Sequence, residues 1–173
     1  MFADEFGLSF RDRLATTWGA VGQTPILRRE DKRRGLSCFC GLTTTGKVYT
    51  MYFKGSINGD CLVTVLKHIR RYLKGPVTLI WDRLSAHRSS AVKQYLKRDR
   101  RMVVEQLPAY CPDLNPEEFC HGYVKERMRN STPANESELL HLAEQEFNRL
   151  RRRPTILRNF FAHAGIPLFT QSG

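Results

Sequence analysis

Three acidic side chains stand where the chain should leave a strand or enter a helix, and together they could hold divalent metal ions. They are Asp4 in Phe2-Ala3-Asp4-Glu5, Asp82 directly after Val77-Thr78-Leu79-Ile80-Trp81, and Glu118 closing Pro112-Asp113-Leu114-Asn115-Pro116-Glu117-Glu118. The other acids, of 17 in all, sit mostly among basic neighbours, as solvated faces do. Mg2+ is a hard cation that takes oxygen ligands and keeps several waters. Two such ions can activate an attacking water or 3′-hydroxyl and stabilise the leaving oxygen of an in-line displacement at phosphorus. The protein then needs to supply about three converging carboxylates and little else.

Each acid also has a structural explanation. Glu118 is the third residue after Asn115, the position of a capping-box glutamate. Glu117, in the same first turn, is favoured by the helix dipole without any function. Asp82 fits an ordinary turn at a strand end, and Asp4 a solvated chain terminus. Taken singly these explanations prevail; taken jointly, on a basic chain, the metal reading moves ahead. His87, five residues after Asp82, either hydrogen-bonds near the site or enters a helix with a satisfied ring. Trp18 reads as core rather than as a platform for stacking bases.

The elements that must position these residues can be read from periodicity and turn chemistry. Phe2-Ala3-Asp4 looks like the end of a strand that lacks most of its front, so the chain reads as a piece of something longer or the second frame of a split gene. Residues 5–31 read as an irregular excursion with short strands. Leu36 to Leu42 and Val48 to Phe53 alternate around Thr44-Thr45-Gly46-Lys47, a hairpin signal. Ser56 or Asn58 caps a helix running to Leu73, ended by Gly75-Pro76. Val77 to Trp81 is a continuous apolar run, expected as a central strand buried on both faces. Ser89 to Arg101 reads as a basic amphipathic helix and Met102 to Leu107 as a short strand. Asn115-Pro116-Glu117-Glu118 opens another helix with a cap residue, a proline at the first position and acids in the first turn. Ser137 to Arg152 and Pro154 to Ala164 are the last helices. The order predicts an α/β fold, a mixed sheet with a hairpin and flanking helices. Sites in such sheets gather at the carboxyl ends of strands, where Asp4 and Asp82 are both expected.

At 173 residues the chain is one domain by length, with 28 Lys+Arg against 17 Asp+Glu and a net charge of +11. Basic residues cluster at Arg28 to Arg34, Lys67 to Lys74, Lys93 to Arg101 and Arg149 to Arg153, a field that favours polyanions and nucleic acid first among them. Five cysteines form no regular framework, and Cys38-x-Cys40 places two thiols on one face of a strand; free thiols in a reducing compartment are expected. No apolar run approaches the length of a membrane span and no signal-peptide pattern is present, so a cytoplasmic, nucleoid-associated protein is the expectation.

Phe2-Ala3-Asp4-Glu5-Phe6-Gly7, Trp18-Gly19-x-x-Gly22-Gln23-x-Pro25, Leu79-Ile80-Trp81-Asp82 through His87-Arg88-Ser89, and Leu107-Pro108-x-Tyr110-x-Pro112-Asp113-Leu114-Asn115-Pro116-x-Glu118 together resemble the DDE transposases of the mariner superfamily, most closely the bacterial insertion-sequence 630 branch. The resemblance covers nearly the whole chain. It implies an RNase H-like fold and a site that nicks transposon ends and joins them to target DNA, with two Mg2+ or Mn2+ ions on Asp4, Asp82 and Glu118. Thirty-five residues separate Asp82 from Glu118, close to the family interval. Glu117 would fit the spacing almost as well, and the Asn-Pro-x-Glu motif selects Glu118. Arg83 stands where the family commonly has Asn, and His121 where an aromatic, usually Trp, is common. The N-terminal helix-turn-helix region of the family has no counterpart in this sequence, so residues 1–173 correspond to a single catalytic domain. The resemblance also implies transposon ends and target duplex as partners, a homodimer on DNA, and a helix-turn-helix half supplied separately. The rival reading is a catalytically incompetent remnant acting only as a basic DNA-binding protein.

Overall fold

Alternation along the first strand sets the plan of the molecule. In β1 (Phe2–Leu8), Phe2, Phe6 and Leu8 enter one apolar cluster and Ala3 enters another, so each face of the sheet has its own core. The computed structural model describes residues 1–10, 15–27 and 35–168. β1 pairs antiparallel along its whole length with β2 (Leu36–Leu42), and β2 pairs antiparallel with β3 (Val48–Lys54). The hairpin closes as expected: the Gly46 N–H donates to the Thr43 carbonyl (2.9 Å), and Gly46 takes φ 78°, which a side chain would disfavour. On its other side β1 runs parallel to β4 (Val77–Trp81), itself parallel to β5 (Met102–Gln106), giving the order β3-β2-β1-β4-β5.

Helices cover both faces. α1 (Gly59–Tyr72) starts where the Asn58 side chain accepts from the Asp60 and Cys61 N–H groups, and buries Leu62, Val65, Leu66 and Ile69. With α2 (Ser90–Arg98), capped by Ser89, it packs on Phe39, Leu79 and Trp81. The opposite face carries α3 (Pro116–Arg127), α4 (Glu136–Arg151) and α5 (Pro154–His163), whose Val124, Leu139, Phe147 and Phe161 meet Phe2, Phe6 and Leu8. Each fully buried side chain of this size contributes about 1.5–3 kcal/mol, so the two clusters bind two helical layers to one sheet.

Three expectations need correction. β4 is not the central strand; β1 is, and β4 alternates, with Val77, Leu79 and Trp81 buried but Thr78 exposed. An apolar run reports hydrophobicity, not cover, and α3 lies over β1 and β2 rather than over β4. Asp4 is not at a strand's end. It is the third residue of a seven-residue strand whose support comes from β2, including the Asp4–Cys40 pairing. Finally, residues 15–27 contain no strand, and Trp18 is 99% exposed rather than core. This segment is tied down by Asn130, which accepts from the Ala15 N–H and donates to its carbonyl. The basic cluster Arg28 to Arg34 lies outside the described residues.

Candidate active site

The pairing register brings the first two acids together. Phe2 of β1 stands opposite Ile80 of β4, the single registered pair between these strands among the described residues. Two residues further along each parallel chain come Asp4 and Asp82, and a period of two returns both to the face of Phe2 and Ile80. Asp82 thus lies just beyond the carboxyl end of its strand, whereas Asp4 lies within β1, reached because β1 and β4 share no further registered pair past that point.

The third acid is delivered by the start of α3. The Asn115 N–H donates to the Pro112 carbonyl (2.8 Å), so it is engaged elsewhere and Glu118 does not close a capping box. The Asn115 side chain accepts from the Glu117 N–H (3.2 Å) and donates to Asp4 Oδ2 (3.1 Å). One buried residue therefore caps the helix and clamps the acid of β1. Asp4, Asp82 and Glu118 all line one cleft of about 470 Å³, together with Arg83, Asn115 and the loop from Leu107 to Pro112.

Crowding of like charge shows in the Asp4 carboxyl. Burial pushes its pKa up to about 7, the Glu5 N–H (2.7 Å) opposes this, and the charges of Glu118, Glu5 and Asp82 add to it. A donor set made of carboxylate oxygens around such a group suits a hard divalent cation, which would offset the burial and the like charges that hold Asp4 up.

His87 resolves in favour of the site. Its ring is buried and stacked on Trp81 at 4.0 Å between centroids. Nδ1 lies 2.9 Å from the Asp82 carbonyl and 3.0 Å from Asp82 Oδ1, and Nε2 lies 3.0 and 3.1 Å from the two Glu5 oxygens. With oxygens facing both ring nitrogens, the protonated ring, which donates from both, is the form this environment favours. Burial alone would lower its pKa, but the Glu5 hydrogen bond and the charges of Glu5 and Asp82 outweigh it and raise it. His87 therefore fixes the Asp82 backbone and carboxylate together. We expect His87→Ala to lower metal-dependent cleavage by about 10–100-fold, the usual cost of losing a group that orients a metal ligand, and to lower the melting temperature as well, because it empties a buried place against Trp81 and leaves Glu5 unpaired, so rates are compared well below both melts. An unchanged cleavage rate would show that Asp82 orients itself.

A second histidine serves Glu118. His121 Nε2 is 3.2 Å from Glu118 Oε2, Nδ1 is 2.9 Å from Glu117 Oε2, and the ring stacks on Phe6 at 4.7 Å. Burial raises the Glu117 pKa and lowers that of His121, and the ring links the two carboxyl groups through its two nitrogens. Glu117 is its partner one turn away. The sequence offers Glu117 as a dipole residue or an alternative third acid and Asn115 only as a cap, and does not single out Glu5; the partners of Glu5 and Asn115 lie 82 and 111 residues away in the chain. Tyr110 belongs to the motif that runs from Leu107 to Glu118. It is fully exposed at the cleft with φ 59°, a conformation that costs a bulky residue about 1–3 kcal/mol and clusters at functional sites.

The Mos1 mariner paired end complex with Mn is similar over 97% of this chain and 56% of that one, with a TM-score of 0.67 and 16% identity. The catalytic domain of Mos1 mariner transposase is similar over 97% of this chain and 83% of that one (TM-score 0.56, 16% identity). A chain of the simian T-cell lymphotropic virus intasome is similar over 82% of this chain and 45% of that one (TM-score 0.53, 12% identity). At these identities the likeness carries the fold, RNase H-like as expected, and the chain spans little more than half of the longer Mos1 protein. No curated protein matches the sequence. Residues 1–140 match the family model described as DDE superfamily endonuclease, which is most of the chain, and the chain belongs to that family.

Proposed function

We propose that this chain is the catalytic domain of an insertion-sequence transposase, which cuts DNA strands at transposon ends and joins them to target DNA. The observation that carries the reading is the meeting of Asp4, Asp82 and Glu118 in one cleft. These three would hold Mg2+ or Mn2+, two ions in the full reading. When bound, such ions activate the attacking oxygen and stabilise the leaving one. The likeness to Mos1 complexes determined with Mn and with Mg supports this.

The chain's own groups do the positioning. His87 holds Asp82, Asn115 and the Glu5 N–H hold Asp4, and His121 holds Glu118. Arg83, exposed at the rim and without an ion pair to any described residue, is placed to meet a phosphate of the strand being cut. Tyr110 offers an open ring to an unpaired base. Lys67, Arg71 and Lys74 on and after α1, with Lys93, Lys97 and Arg98 on α2, are exposed cations for the phosphate backbone. Transposon ends and target duplex are the DNA partners, bound as a homodimer at the nucleoid in the cytoplasm, with end recognition supplied by a separate helix-turn-helix half.

The test is Mg2+-dependent nicking of duplex DNA by the purified chain, with a helix-turn-helix half added in trans. No nicking under either condition would favour the DNA-binding remnant. Binding itself should weaken steeply with salt: releasing six counterions costs about 10³-fold in affinity between roughly 50 and 200 mM. A flat response would count against a phosphate-dominated interface.

A further inference from the structure

Behind the cleft, β2 and α3 press together a second group of ligating atoms that the catalytic reading leaves unused. Cys40 of β2 and Cys120 and Glu117 of α3 are each fully buried, and one ligating atom from each lies within 4.8 Å of the other two. The two sulfurs are 3.9 Å apart. Two Zn–S bonds of about 2.3 Å at a tetrahedral angle place their sulfurs about 3.8 Å apart, so the thiols already stand at coordination spacing. That spacing is also ordinary contact between thiols, so it permits an ion without requiring one. The carboxyl group asks for more. Glu117 Oε2 is met by His121, whereas Oε1 is buried with no full hydrogen bond, the Cys40 thiol beside the carboxyl being only a weak donor. Leaving such an oxygen unsatisfied costs about 1–3 kcal/mol, and a cation between it and the sulfurs removes that cost.

We propose that Cys40, Cys120 and Glu117 form a structural Zn2+ site, distinct from the centre in the cleft. Two thiolates select a thiophilic ion, whereas the three acids in the cleft offer only hard oxygen donors. Glu117 supplies the third protein donor through Oε1, while Oε2 stays with His121. His121 then plays the part of the hydrogen-bonded neighbour that orients a ligating group, and its other nitrogen reaches Glu118. Zinc in this position would pin the first turn of α3 to β2, and with it the third acid of the cleft.

The full-length chain, purified without chelators, is expected to carry stoichiometric zinc by mass spectrometry, and the Asp82→Asn variant to carry the same amount. Refolding with Co2+ in place of zinc should give intense thiolate-to-cobalt absorption in the near ultraviolet. That absorption should persist in Asp82→Asn and vanish in Cys40→Ser and Cys120→Ser. Should the serine variants fail to fold, Glu117→Gln decides: it keeps the side-chain shape and should weaken zinc binding by about 10-fold or more. A natively folded wild-type chain that holds no zinc and shows no thiolate–cobalt absorption overturns the site. So does Glu117→Gln that binds zinc as tightly as wild type. Neither readout depends on DNA cleavage, so failure here and failure of the transposase reading are separable.

Discussion

Replacing Asp82 with asparagine is expected to lower Mg2+-dependent strand cleavage by on the order of 10³-fold or more, with the folded structure intact. The side chain is 42% exposed and takes no part in either apolar core, so its loss removes little packing. Its Oδ1 accepts from the Leu84 N–H at 2.9 Å, and asparagine keeps an oxygen for that bond. What asparagine removes is one negative oxygen from the cleft. Metal-borne charge stabilisation is worth several kcal/mol in a transition state, and each 1.36 kcal/mol is tenfold in rate. Nicking of a supercoiled plasmid, measured beside a thermal melt, reads both quantities at once. Unchanged nicking would remove Asp82 from the metal site; a collapsed melt would show that its turn holds up the fold. His87 gives an internal comparison, because it acts through Asp82 and Glu5 rather than on the metal and should cost less.

Much of this architecture could be read before any coordinates, and the parts that could not share a cause. Helices α1 and α3 announce themselves locally, through Asn58, Asn115 and Pro116, because caps and first turns are made by neighbours in sequence. The hairpin does the same through Gly46. The motifs holding Asp82 and Glu118 are long, and both acids do line the cleft. Where reading failed, the deciding partner was remote. Val77 to Trp81 looked central because its composition is apolar, but which strand is central depends on pairing, and β1 has β2 on one side and β4 on the other. Asp4 looked exposed to the loss of residues before it, but its strand is secured by Cys40 and its neighbours on β2. Glu117 looked like a dipole residue because nothing near it in sequence reveals that α3 turns it inward, toward two thiols. Trp18 failed for the opposite reason: an aromatic residue predicts burial only when some element arrives to cover it.

Asp4→Asn should change stability and activity in opposite directions. An acid whose pKa rises on folding, here from 3.8 to about 7, binds its proton more tightly in the native state than in the unfolded one. Its ionisation therefore costs stability as the pH rises from about 4 to about 7, and the cost persists above that. The full displacement is worth about 4 kcal/mol, and water in an open cleft reduces it to on the order of 2 kcal/mol. Asparagine keeps an oxygen for the Glu5 N–H but turns an amide toward Asn115 Nδ2, returning about 1 kcal/mol. The net gain of about 1 kcal/mol should raise the melting temperature of the metal-free variant by about 2–4 °C at pH 8 and leave no gain at pH 5. Adding Mg2+ should reverse the order at pH 8. Ligand at 100 times its dissociation constant stabilises the wild type by about 2.7 kcal/mol, and the variant, short of one anionic ligand, should gain far less. Cleavage should be lost with the carboxylate. Melts of both proteins at two pH values, with chelator and with Mg2+, test the whole argument. A variant less stable than wild type at pH 8 in chelator would mean that Asp4 is held for the fold. The crossing of the two orders on adding Mg2+ would instead identify a carboxylate kept, at a cost in stability, for the ion it binds.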